Sequence, residues 1–70
     1  MNEKDFLEEM RAILENDSVT MDSSLMDIKE WDSLSILSFI ALAVRSCERS
    51  IAPEQIRACR TLRDLYALLQ

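Results

Sequence analysis

Seventy residues, 49% of them hydrophobic, are enough for one small core and leave no room for a second. Histidine is absent, which removes every Ser/His or Cys/His pair, and two cysteines alone cannot make a zinc site. A net charge of −5 opposes binding to nucleic acid or an anionic membrane and suits basic patches on partner proteins.

The charge is unevenly spread: residues 1–17 hold two bases and six acids, residues 18–32 one and four, and residues 33–70 five and three. The opening Met1-Asn2-Glu3-Lys4-Asp5 is charged and lacks the apolar stretch of a signal peptide. The longest apolar run, Phe39 to Val44, has six residues and is too short to cross a bilayer. The expectation is a cytoplasmic, monomeric chain with reduced thiols, in which Cys47 and Cys59 are small core residues.

Phe6, Leu7, Met10, Ile13 and Leu14 fall on one face of a helix, which the pattern predicts from Glu3 to Glu15. Asn2 is its expected cap, with Glu3 and Asp5 in the first turn where negative charge is favoured. Lys4, Glu8, Arg11 and Glu15 make an expected solvated face. Asn16 to Asp32 is a long polar connection, and a loop of that length inside a small domain is functional or tied down. Val19, Met21, Leu25, Met26, Ile28 and Trp31 are the expected ties, with one turn between Asp22 and Asp27. Trp31 reads as a plug between this loop and the helices.

Glu30-Trp31-Asp32-Ser33-Leu34 then leads into the most apolar segment, Ser35 to Val44. An Asp-Ser pair ahead of such a run marks a helix start, and either side chain can cap the first turn. Ser33 is expected to be exposed at the positive end of that helix, where a phosphate on its oxygen would meet unpaired N–H groups. Ile36, Phe39, Ile40, Ala43 and Cys47 are expected to face inward. Leu34, Ser38, Ala41 and Arg45 make a second face, flanked by Leu37 and Val44, that carries no acid.

Arg45 to Ser50 reads as a polar turn. Pro53 suits the first position of a short helix with Ile56 facing in, although Ala52 before it is a poor cap. Thr61-x-x-Asp64 has the form of a capping box, and Leu62, Leu65, Tyr66, Leu68 and Leu69 give the last helix a buried stripe. Arg57, Arg60 and Arg63 recur every three residues and read as a solvated basic edge in preference to an anion site.

Trp31-Asp32-Ser33-Leu34, with an amphipathic helix behind it, resembles the phosphopantetheine attachment site of acyl carrier proteins. Ile51 to Ile56 is similar to that family's short third helix and Thr61 to Leu69 to its last, so the likeness runs over nearly the whole chain. It implies an all-α fold in one carrier domain, residues 1–70. The fold would be a small four-helix bundle with three longer helices, a short third helix and a long loop between helices 1 and 2. It implies no catalysis by the chain itself. Ser33 would receive phosphopantetheine from coenzyme A through a separate phosphopantetheinyl transferase, with Asp32 recognised by that enzyme and Leu34 beside the attachment point. The arm would present an acyl or aminoacyl thioester to partner enzymes docked on Leu34, Leu37, Ser38, Ala41 and Arg45. Family members usually carry several acids on the exposed side of this helix. Here Ser35, Ser38, Val44 and Arg45 stand at those positions, which points to a specialised biosynthetic pathway over the main fatty-acid carrier. The alternative is a non-catalytic helical interaction module in which Ser33 is a plain N-cap. A serine hydrolase fails for want of histidine and of a glycine elbow.

Overall fold

Polar side chains that can accept a backbone N–H start three of the four helices. In the computed structural model, which describes residues 1–70, these are α1 (Glu3–Leu14), α2 (Ser33–Cys47), α3 (Pro53–Arg57) and α4 (Leu62–Leu68). No strand is present, and a 3-10 turn (Leu25–Asp27) interrupts the connection between α1 and α2. Asn2 caps α1 by accepting the Asp5 N–H at 2.8 Å. At α4 the Thr61 hydroxyl accepts the Asp64 N–H, and Asp64 Oδ2 accepts the N–H groups of Arg60 at 2.9 Å and Thr61 at 3.1 Å. Those backbone donors, Arg60 first and then Thr61, hold the Asp64 carboxyl below the usual carboxylate range. α3 opens on Pro53 with no side-chain cap from Ala52, as its sequence predicts, and Gln55 Oε1 accepts the Ala52 N–H at 2.8 Å.

Without glycine, the chain ends its two long helices at glutamates. Glu15 and Glu48 take the left-handed conformation at φ 52° and 53°, and the following amides reach back to Arg11 O and Ala43 O. Arg45 therefore belongs to α2, and the expected polar turn starts only after Cys47. The last helix is also shorter than expected: seven residues against twelve in α1 and fifteen in α2, so two helices are long and two short.

α1 lies against α2 through Phe6 and Phe39, whose rings meet edge to face at 6.5 Å; Tyr66 of α4 tilts onto Phe6 at 5.3 Å. Phe6, Met10 and Leu14 of α1 join Phe39, Leu42 and Ala43 of α2, and Leu62 and Leu65 of α4, in one buried cluster. The long connection is part of that core. Val19, Met21, Leu25 and Ile28 are buried as expected, and Trp31 is half-buried, its ring centre 6.5 Å from that of Phe39 in an edge-on contact. Met26 is not a tie: the 3-10 turn swings it outward, 94% exposed.

Backbone hydrogen bonds fasten this connection to the start of α4: Leu25 N–H to Arg60 O at 2.9 Å and Arg63 N–H to Met21 O at 2.8 Å. A single antiparallel bridge pairs Ser24 with Thr61. Arg11, expected on the solvated face of α1, is half-buried instead. Its guanidinium donates twice to Val19 O, at 3.0 and 3.1 Å, and so satisfies a loop carbonyl that has no helical partner. No helix is long and apolar enough to cross a membrane.

Candidate functional site

The N-terminus of α2 distributes its tasks over three neighbouring residues. Asp32 is the N-cap: Oδ1 accepts the N–H of Leu34 at 3.0 Å and of Ser35 at 3.1 Å. Ser35 completes a capping box, its Oγ accepting the Asp32 N–H at 2.9 Å and donating to Glu30 O at 2.8 Å. Ser35 is thus buried, 5% exposed, and not on the outer face expected for it. Ser33 sits between these two as the first helical residue. Neither its hydroxyl nor its N–H makes a hydrogen bond within the chain, and the residue is exposed. The reading of Ser33 as an N-cap is therefore corrected, because Asp32 already fills that role.

The expectation of several unpaired N–H groups around Ser33 is corrected by the same bonds. Asp32 occupies two of them, leaving the Ser33 N–H free. A phosphodiester on Ser33 would also stand near the Asp32 carboxylate, an opposition of roughly 1 kcal/mol at 4 Å in water. The residues fit such a group through a free, exposed hydroxyl, and the covalent ester rather than the helix dipole would hold it. The first turn of α2 borders two hollows. One, about 350 Å³, lies against the end of α1 and includes Glu15, Glu30, Asp32 and Leu34; the other, about 270 Å³, includes Trp31, Ile36 and Ile56.

Beyond the first turn, α2 is apolar on almost every side. Phe39 and Ala43 are buried as expected, with Leu42, which was assigned to neither face; Ile36, Ile40 and Cys47 are only half-buried. The helix is rolled so that its inner face centres on Ser35, Phe39 and Leu42. This leaves Leu34, Leu37, Ala41 and Val44 together on the outside, with Leu34 73% and Leu37 63% exposed. Of the remaining expected docking residues, Ser38 is half-buried and donates to Leu34 O at 3.2 Å, and Arg45 is exposed and 3.6 Å from Glu9. The ridge begins one residue after Ser33 and has no acidic member.

Ser35 is the site residue that sequence reasoning missed, although Asp32-x-x-Ser35 has capping-box spacing with serine in place of the usual glutamate. Cys47 and Cys59 are free thiols, both half-buried. No protein-family model matches the chain, and neither does a curated protein or a solved structure.

Proposed function

We propose that this chain is a non-catalytic carrier of the acyl-carrier type, with phosphopantetheine attached at Ser33. The observation that supports it most is the division of roles at α2. Asp32 and Ser35 do the capping, and the exposed Ser33 is left with a free hydroxyl in a fixed position. In the loading step Ser33 Oγ forms the new bond to phosphorus while the phosphoanhydride of coenzyme A breaks. The nucleotide bisphosphate leaves, and the hydroxyl proton passes to a base of the transferase. When bound, the group supplies a thiol that holds an acyl or aminoacyl chain as a thioester. Asp32 keeps the serine at the head of the helix and offers the transferase a carboxylate beside it.

Leu34, Leu37, Ala41 and Val44 form the docking ridge, with Arg45 at its far end. Apolar ridges exposed to this extent on small proteins are contact surfaces, and this one starts at the attachment residue. The cargo belongs to a specialised pathway, since the ridge lacks the acids of a strongly charged carrier. The test is incubation with coenzyme A, Mg²⁺ and a broad-specificity phosphopantetheinyl transferase, followed by intact mass. The wild type is expected to gain one phosphopantetheine and Ser33→Ala none. A wild type that stays unmodified with several transferases, or a variant modified equally, ends the carrier reading. The same ridge then favours the interaction module, with α2 as its contact helix.

A further inference from the structure

The exposed residues Leu34, Leu37, Ala41 and Val44 succeed one another at steps of three, four and three, the spacing of a seam between two helices. The seam runs straight along α2 for ~15 Å, and no other element of the chain covers it. Its two ends carry opposite charge on the same flank. At the head, Glu15, Glu30 and Asp32 border the hollow that also takes in Leu34 and Ser38, and none of the three has a cation partner within the chain. At the foot stands Arg45, seven residues and therefore two turns beyond Ser38. We infer that α2 pairs through this seam with α2 of a second copy of the chain, antiparallel about a two-fold axis between Leu37 and Ala41.

The charges choose both the partner and its direction. In an antiparallel pair Leu34 meets Val44 of the second copy and Leu37 meets its Ala41, while each Arg45 reaches the acidic hollow at the other copy's helix head. A parallel pair would set Arg45 against Arg45 and the carboxylates against one another. The antiparallel contact is isologous, so one complementary set of charges is used twice, and the two helix dipoles also oppose. Arg45 is free to turn outward: its one partner, Glu9, lies 3.6 Å away with both side chains well exposed, a contact that water screens. On the other flank half-buried Ile40 widens the apolar strip near the axis. Four ridge residues per copy make an interface below the ~1,200 Å² of stable complexes, which sets Kd at roughly 0.1–1 mM. The chain is thus monomeric when dilute and paired when concentrated, and any other partner of the ridge has to displace the second copy.

Sedimentation velocity of unmodified protein between ~10 µM and ~1 mM tests this. The wild type is expected to move from monomer towards dimer over that range. Leu37→Asp, a change at an exposed position, should raise Kd at least about tenfold with the helical spectrum intact. Two further chains reverse the charges separately, one with Arg45→Glu and the other with Glu15→Lys and Glu30→Lys; Asp32 is left alone because it caps the helix. Each alone should pair at least about fivefold more weakly than wild type, and their equimolar mixture should regain the wild-type Kd to within about threefold, since both ends then meet opposite charge again. The inference is overturned if the wild type is still monomeric at the highest concentration, if Leu37→Asp pairs as tightly, or if the mixture associates no better than its components. None of these results depends on whether Ser33 can be loaded.

Discussion

Removal of the Asp32 side chain tests which residue caps α2. In Asp32→Ala the N–H groups of Leu34 and Ser35 lose their acceptor, and a negative charge leaves the helix N-terminus. Loss of an N-cap to alanine costs about 0.5–2 kcal/mol, and an acid in that position contributes about 0.3–1 kcal/mol, part of it the same interaction. Ser35 Oγ still donates to Glu30 O and accepts from the backbone of residue 32, so the entry of the chain into the helix is not released entirely. The expected cost is about 1–2 kcal/mol. For a domain of this size each kcal/mol lowers Tm by about 4–8 °C, giving a fall of roughly 5–15 °C by circular dichroism.

Two companion variants sharpen the reading. Asp32→Asn keeps the acceptor and loses the charge, so its cost should stay near the dipole contribution, about 0.3–1 kcal/mol. Ser33→Ala removes a hydroxyl with no partner and adds a better helix former, so stability should move by less than about 0.5 kcal/mol. If Ser33→Ala costs as much as Asp32→Ala, or Asp32→Ala costs less than about 0.3 kcal/mol, the assignment of capping to Asp32 is wrong.

Phe39→Ala removes a fully buried ring that meets Phe6 and Trp31; urea unfolding should show a loss of about 3–5 kcal/mol, and a loss below 1 would place the ring outside the core. Glu48→Gly relieves a left-handed residue at the end of α2 and should raise Tm by a few degrees, a gain of about 0.5–1 kcal/mol; a lower Tm would show that the glutamate contributes something beyond its backbone. Asp64 has a depressed carboxyl, so its contribution is present above the unfolded pKa of about 4 and is lost as pH falls through the lower folded value. Acid unfolding of Asp64→Asn should accordingly have a shallower pH dependence than wild type below pH 4, and identical slopes would contradict the cap bonds. Leu37→Asp alters the outer ridge alone and should change stability by less than about 1 kcal/mol; if the chain is a carrier, it should also reduce acyl transfer by a partner enzyme at least tenfold, and unchanged transfer would remove the ridge from docking.

The helix starts were legible because capping is local. Asn2, Asp32 and the Thr61-x-x-Asp64 pair each sit within three residues of the N–H they accept. The rotation of α2 was not legible, and the reason is compositional. Leu34, Ile36, Leu37 and the run Phe39–Val44 put apolar groups around the whole helix, so a period of 3.6 selects no face. What selects it is tertiary: α1 supplies Phe6 as a partner for Phe39, and the bond from Ser35 to Glu30 O turns that serine inward. Arg11 eluded the pattern for a related cause. Its acceptor, Val19 O, belongs to a connection whose path has no periodicity to read. Met26 reads as a tie because it is apolar, but the three-residue 3-10 turn buries Leu25 and leaves its neighbour outside.

If the chain is a carrier, the same contacts bear on how its attachment serine can stand so close to the core. A side chain that must meet an enzyme cannot also hold the helix together, because each modification would then cost the fold its cap. Here the cap lies one residue before Ser33 and its lock two residues after, both bonded to backbone groups of residues 30–35. Phe39, one turn beyond Ser35, is buried against Phe6 and Trp31, so the helix is anchored from below as well. Ser33 is thereby fixed in position by neighbours while its hydroxyl makes no hydrogen bond within the chain. Fixed position with free chemistry is the property a carrier's attachment residue needs. An interaction module would have no use for it at that residue, and Ser33→Ala therefore separates the two readings: the carrier loses its modification at no cost in stability, whereas the module loses nothing.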